Sequence, residues 1–470
     1  DWRFALTSYR ELAAAHPGRS EIETGLAWEL CRAIQHGLKE ESPDGATLWG
    51  CVEEYVRLEQ VPKPSLIHSC MLQWAATLAK KGLAPKFCGF LVWWAPDANL
   101  RPEDREGRPN PEGGRYDSVV ETAIAGAAKT LQSCEDETTR RTAAEFIVRH
   151  AAGYPDREWI SYYRACALLA LGRLEEAREP MTRLVRSKTT EYWAWEKLAS
   201  TYPENSLERL QCLCRAVRCP CPKEAYWVGI HESLGAALVS AGHLPEGRRH
   251  LEKALELRQR NNWPVHGRLG ELLADTDDVE PVDSSRLVEQ LAEDADELLM
   301  DGISARRGVV TGVDVELERD GQKRRFHFLC VEGDRPGALI ACRVPANRAF
   351  GMLSGKRLGD PLIVRLDGSG PHPKVLSVRP RPEGAAWDVM PEWEGPVDHV
   401  NTQKALAAVR LNGGTTALVH FDRFPEAVNW KAGDVVRIRY SKKDDRIRVL
   451  AAHCNVDGIS ITDSLEEVPF

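Results

Sequence analysis

Apolar residues recur at helical spacing through the first part of the chain and alternate with polar ones through the last, with the change near Ala305. In SEIETGLAWELCRAIQHGL, a stripe of Ile22, Leu26, Leu30 and Ile34 follows Ser20, which is placed to cap a helix. PSLIHSCMLQWAATLAKKG and YDSVVETAIAGAAKTLQ have the same character, so residues 1–155 are expected to form degenerate helical hairpins. The exception is 94–115, where prolines, glycines and charges forbid a helix and predict a long loop, either functional or disordered. After Ala305, short runs such as RGVVTGVDVELE, RRFHFLCVE, GALIACRVP, DPLIVRLDG and PKVLSVRPRP are punctuated by Gly, Asp and Pro, the pattern of β-strands and turns.

Within the helical part, residues 156–273 repeat. EWISYYRACALLALGRLEEAREPMTRLVRSK predicts two helices that part at Gly172, with Leu174, Ala177, Met181 and Leu184 at helical spacing. GIHESLGAALVSAGHLPEGRRHLEKALEL repeats the order as Leu234, Gly235, Leu238, Gly242, Leu244, Gly247, Leu251 and Ala254. The glycines 172 and 242 are 70 residues apart, about two periods of 34. Between them, Trp195, Leu198, Ala199 and Tyr202 occupy the first-helix positions of a middle unit. These residues resemble the tetratricopeptide repeat, which implies a solenoid with a concave, protein-binding groove. The inward places hold Trp159, Tyr162, Cys166, Trp193, Glu196 and Glu232, an aromatic and acidic set suited to an apolar or basic peptide.

Residues 274–304 carry eleven Asp or Glu from Ala274 to Asp301 against the single base Arg286. Leu287, Leu291, Leu298 and Leu299 still make an apolar face, so an acidic linker helix is predicted from Ser284 or Ser285. Its carboxylates either compete with phosphates for a basic domain beyond it or merely keep a linker helix solvated.

The last segment, 395–454, resembles the cold-shock domain, a five-stranded OB barrel. The resemblance rests on GPVDHVNTQK, ALAAVRL, the NGG turn, TALVHFDRF, AGDVVRIRY and DRIRVLAAH in that order. It implies single-stranded RNA or DNA as ligand, more readily RNA, held by stacking on exposed rings. Most ring positions are altered: His399 stands in the Trp place, Leu406 and Ala408 in two aromatic places, and Leu418 in a Phe place. The contacts left in this domain are His399, His420, Phe421, Lys404, Arg410, Arg423, Lys431, Arg437 and Arg439. Residues 305–385 look like a second, divergent OB-like domain, in which RRFHFLCVEG offers Arg324, Arg325 and His327. Phe326 and Phe328, two apart, either join a stacking groove or both face the core and leave His327 outside. Residues 455–470 form an acidic tail.

The net charge of −8 is divided unequally. Residues 305–470 hold 25 Lys and Arg against 22 Asp and Glu, a net of +3, which leaves 37 against 48, or −11, for the rest. Thirteen cysteines without paired spacing, together with no long apolar run, point to the reducing cytosol. The first residue is Asp1 rather than Met, which implies a trimmed or processed start. Cys212, Cys214, Cys219 and Cys221 cluster in CLCRAVRCPC, but their spacing fits buried small side chains better than a metal site. No Gly-Lys-Ser/Thr loop, no His-Glu-x-x-His and no nucleophile elbow occurs, so neither cofactor, metal nor catalytic residue is expected.

The predicted architecture is multidomain, α then β: a tetratricopeptide-like solenoid followed by tandem small OB-like barrels. The expected function is that of a non-enzymatic adaptor, touching protein through the repeats and single-stranded nucleic acid through the barrels, with no membrane partner. Domain order resembles that of accessory proteins in bacterial stress or phage-defence systems. The alternatives are a protein-binding scaffold whose barrels have lost nucleic acid, and an enzyme with its site in the 94–115 loop.

Overall fold

The structure, a computed structural model, describes residues 2–454 except 112, 266, 320–321, 336, 347–352, 354, 369–372, 412–413 and 444–445. The acidic tail expected at 455–470 lies outside the described residues. The chain forms two compact units, Asp1–Leu299 and Met300–Phe470. The first is helical, and the second holds two five-stranded antiparallel sheets.

In the first unit, α1 (Trp2–Ala15), α2 (Ser20–Gly37), α3 (Gly45–Val56), α4 (Leu66–Lys80), α5 (Phe87–Trp94), α6 (Pro96–Asn99), α7 (Val119–Thr130) and α8 (Glu137–Ala151) come first. One continuous core, including Leu30, Ile34, Met71, Trp94, Ile124 and Ile147, runs through them and into α9 (Glu158–Ala170). Asp44, Ser65, Ser118 and Asp136 cap helices by accepting backbone N–H bonds. Ser20 does not. It is already inside α2, and its hydroxyl donates to the Gln60 carbonyl at 2.8 Å, tying the helix to a distant turn.

The 94–115 segment is a structural strap rather than an open loop. It contains α6, a 3₁₀ turn over Pro102–Arg105 and a bridge between Pro109 and Arg115. Buried Asp104 accepts from the Ser69 hydroxyl at 2.6 Å, the Arg101 amide at 3.0 Å and the Arg101 guanidinium at 2.8 Å. Arg115 grips Glu121 of α7 through two bonds of 2.8 Å, and Arg157 adds another of 2.8 Å. Its prolines and glycines break the helix, and its charges serve as internal partners.

Three helical hairpins follow: α9 with α10 (Leu174–Ser187), α11 (Tyr192–Ala199) with α12 (Leu207–Val217), and α13 (Trp227–Ser240) with α14 (Leu244–Arg260). Gly172 and Gly242 turn the first and last of them at φ 73° and 85°, where a side chain would be strained. A Cβ on Gly235 would lie 2.8 Å from Leu251 and 3.1 Å from the Gly247 carbonyl, so α13 and α14 approach closely because both residues are small. Cys212 and Cys214 are fully buried, and burial pushes both thiols well above their ordinary pKa.

The array ends with α15 (Gly267–Asp275) and α16 (Ser285–Leu298). The acidic helix begins where the sequence places it, but it is not a free linker. Val288, Leu291, Ala292 and Ala295 are buried, and the helix packs on α12. Glu289 pairs with Arg218 at 3.0 Å and Asp296 with Arg215 at 3.1 Å. The apolar face thus finds a partner within the helical unit, whereas Glu293 and Asp294 remain exposed.

Buried Ser284, just before α16, bonds His250 Nε2 at 3.0 Å, and His250 Nδ1 meets His231 Nδ1 at 2.8 Å. Burial, with Lys253 acting on His231 and with His231 and then Arg249 acting on His250, holds both imidazoles down at about 4. The unfolded chain therefore binds more protons than the folded one between about pH 6.5 and 4, and stability falls as pH drops through that window. Urea melts at pH 7.5 and 4.5 should show the helical unit losing midpoint at the lower pH. A His231→Gln, His250→Gln chain should lose less of it.

The first sheet of the second unit comprises β1 (Ala305–Arg319), β2 (Gln322–Glu332), β3 (Leu339–Pro345), β4 (Pro361–Asp367) and β5 (Lys374–Pro380), in the order β3-β2-β1-β4-β5. The second comprises β6 (Glu392–Asn401), β7 (Leu406–Arg410), β8 (Thr416–His420), β9 (Val435–Lys443) and β10 (Arg446–Cys454), in the order β10-β9-β6-β7-β8. Both are the same topology, third-second-first-fourth-fifth. In each the third and fifth strands approach one another, curling the sheet toward a barrel. Separate cores fill the two, one around Val310, Leu329, Val331, Val344 and Leu362, the other around Val397, Val409, Val419, Trp430 and Ile438. A further cluster, with Val309 and Cys330 from the first sheet, Trp387, Val389 and Met390 from the connection, and Leu450 from the second, joins the two sheets into one body.

Candidate nucleic-acid interface

Strand alternation decides what each sheet presents to solvent. On β2, Leu329 and Val331 enter the core, and β3 opposes them with Cys342 and Ile340. Directly opposed residues share a face, so His327, opposite buried Val344, lies on the core side. Its Nδ1 accepts from the Asp314 amide at 3.4 Å, and burial lowers its pKa. Phe326 and Phe328 consequently face outward with Arg343 of β3, whose guanidinium sits 5.5 Å from the Phe326 ring centre. Both phenylalanines are half-buried, and Arg343 is exposed with no ion pair among the described residues. The alternative in which both rings face the core and His327 faces out is thereby reversed.

Of the other two basic residues expected here, Arg324 lies on the ring face, exposed, and donates to Gln322 at 2.8 Å. Arg325 lies on the opposite face of the β1–β2 hairpin and pairs with Asp314 at 3.0 Å.

The second sheet gathers several of the expected residues and dismisses others. His399, Ala408 and Leu418 form one outward row across β6, β7 and β8, and Asn401, Leu406 and His420 form the next. Leu418 is 44% exposed where a stacking ring would be needed. His399 and His420 are exposed on this face, and Lys404 stands exposed in the β6–β7 turn, where its amide is held by Asn401 at 2.9 Å. Lys431 is also exposed, and neither lysine ammonium makes an ion pair among the described residues.

Arg410 is tied to Asp398, and Arg437 to Glu394 at 2.8 Å, so both are partly neutralised. Arg423 is half-buried beside Arg448, whose pKa is lowered by burial and by that neighbour. Phe421, in the turn after β8, packs against the core, and its amide donates to the Ala405 carbonyl at 2.9 Å. Arg439 donates to the Trp387 and Met390 carbonyls at 3.3 and 3.0 Å and pairs with Glu392 at 2.6 Å. It fastens the connection between the sheets. Arg439→Ala should therefore cost about 1–3 kcal/mol in urea unfolding of the barrel unit and leave the salt dependence of any nucleic-acid binding unchanged.

With this geometry in view, comparison with known families is informative at two places. Residues 387–450 match S1/CSD-like domain 1 of the TOTE conflict systems. The C-terminal domain is cold-shock/OB-like. The match begins at Trp387, in the connection, so the family's boundary includes the segment that Arg439 fastens. Residues 158–295 match a domain of unknown function, DUF7017, which spans the three hairpins and ends inside α16. No curated protein matches the chain.

In the helical unit, Trp159, Tyr162 and Trp193 are in ring contact, with Glu196 one turn along α11 from Trp193. Glu232 does not join them as a free acid, because Arg258 takes its carboxylate. Among the described residues no group of His, Cys, Asp and Glu is arranged to hold a metal, and no helix is long and apolar enough to cross a membrane.

Arg343 is the site residue that sequence reasoning missed. Its signal was present as a lone base in LIACRVP, but its placement beside Phe326 depends on the β2–β3 register.

Proposed function

We propose that the protein is a non-enzymatic adaptor of a conflict system, binding single-stranded nucleic acid, preferentially RNA, through its barrel unit and protein partners through its helical unit. The observation that carries the nucleic-acid half is the outward Phe326–Phe328–Arg343 group. It lies on the second and third strands of an OB-topology sheet, the face on which such barrels receive oligonucleotides. Rings give sequence-tolerant stacking, and beside them the Arg343 guanidinium, without an ion pair among the described residues, attracts phosphate. The S1/CSD-like match supports the same ligand class for the second sheet, where His399, His420, Lys404 and Lys431 supply a weaker, ring-poor continuation. Two faces in one body raise the effective concentration of each for a common strand.

The second reading, a scaffold whose barrels bind only protein, is favoured by the inward Phe421 and the consumed Arg439. Titration of a labelled single-stranded RNA 20-mer with the full chain separates the two. Binding that weakens steeply as salt rises supports the adaptor, and no binding at low salt leaves the scaffold.

A further inference from the structure

On α9, Trp159 is exposed and Tyr162 half-buried beside it, while Tyr163 packs against the core of the preceding helices. Trp159 is 51% exposed, and its indole stacks on Trp193 of α11 with centres 5.9 Å apart and planes 17° from parallel. Tyr162 stands edge-on to both, at 5.8 and 5.6 Å. Glu191 accepts the Trp193 indole N–H at 3.2 Å and holds that ring in place. The result is a rigid aromatic slab at the surface, where side chains of this size normally bury themselves.

Glu196 lies close enough to Tyr162 for its charge to add to the burial that raises the tyrosine's pKa. Burial also raises Glu196 itself, against the lowering effect of Lys197, its neighbour in sequence. Among the described residues no hydrogen bond or ion pair engages the Glu196 carboxyl. Beside Trp159 a cavity of about 350 Å³ is lined by Asp156, Glu158 and Tyr163 together with Lys80 and Arg157, and Glu158 is paired with Lys188 at 3.3 Å.

We propose that the Trp159–Trp193 slab and the Glu196 carboxylate form a docking site for an arginine side chain on a basic peptide segment of a protein partner. The inference rests on the reading of the helical unit as a protein-contact module and names what that module receives. A planar, weakly hydrated guanidinium stacks on an indole face and presents a fork to a carboxylate at the same time. It relieves the partly desolvated Glu196, which a neutral side chain would not. The Glu196 carboxylate disfavours a phosphate at this locus, whereas the barrel face attracts one.

The test uses the full chain and fluorescein-labelled short peptides alternating serine with arginine, lysine, citrulline or glutamate. The arginine peptide should bind about tenfold more tightly than the citrulline one, and measurably more tightly than the lysine one. Trp159→Ala and Glu196→Gln should each weaken it about tenfold, with thermal melting and RNA 20-mer binding unchanged. Trp159 is exposed, so its loss leaves the core intact. Equal binding of arginine and citrulline peptides, still lost in Trp159→Ala, would overturn the arginine assignment while keeping a protein-contact groove. Arginine-peptide binding that ignores both substitutions would overturn the site. Failure of every peptide to bind would remove the site together with the protein-contact reading, whatever the RNA result.

Discussion

Replacing Phe326 and Phe328 together by alanine should weaken binding of a single-stranded RNA 20-mer about a hundredfold at low salt. Each base stacked on a ring is worth roughly 1–3 kcal/mol, so the loss of two platforms outweighs that of any single phosphate contact. Neither ring belongs to the core around Val310, Leu329 and Val364, and the variant should stay folded. Because stacking is insensitive to salt, the variant should keep the slope of affinity against salt and lose its intercept. Arg343→Ala should do the reverse, lowering the slope by about one phosphate contact. The matching substitutions on the second sheet, His399→Ala and His420→Ala, should cost much less because Ala408 and Leu418 supply no ring between them. A folded double-phenylalanine variant with native affinity, measured by fluorescence anisotropy, would move the nucleic-acid contact away from this face.

The second large effect concerns stability. Glu121 of α7 has no exposed side-chain surface, yet it accepts bonds from Arg115, Arg157 and the Ser118 amide, each at 2.8 Å. Burial alone would raise its pKa, but these donors hold the carboxyl below its ordinary value, and it is charged at neutral pH. Glu121→Ala should cost about 1–3 kcal/mol, because Arg115 loses its carboxylate, Arg157 keeps only Asp117 and the capping box of α7 is lost. Glu121→Gln should cost less, since the amide oxygen can still accept. The readout is the urea midpoint of the helical unit followed by tryptophan fluorescence, with the barrel unit's transition as an internal reference. A loss below about 1 kcal/mol would mean that the 94–115 strap is not held by this carboxylate.

The distribution of chemistry across the chain explains why some features were readable in advance and others were not. The hairpins around Gly172 and Gly242 were legible because small and large residues recur in phase, and local spacing is all that a helix and its turn require. The α-to-β change near Ala305 was legible for the same reason, since helical and strand periodicities differ within a few residues. The family match over 387–450 follows the strand order that the sequence already displayed.

What depended on distant residues was not legible. In FHFLCV both faces of β2 read as apolar, because Cys330 on the outer side is covered by Trp387 and Met390 from sixty residues on. Only the pairing of β2 with β3 shows which parity meets the core, and it turns His327 inward and the two phenylalanines outward. Arg439 and Lys431 look alike in AVNWKAGDVVRIRY, yet one is consumed by backbone carbonyls of the connection and the other is free among the described residues. Glu289 and Asp296 read as part of an unbroken acidic run, but arginines 71 and 81 residues earlier take them up.

The sequence by itself determined the kinds of element, their order and the pool of rings and charges. Those depend on backbone propensity and local periodicity, which act over a few residues. The tertiary structure decided which ring faces solvent, which charge is already paired and that the acidic helix docks on α12. Burial and ion pairing depend on strand register and helix packing, and these bring together residues that local spacing cannot relate.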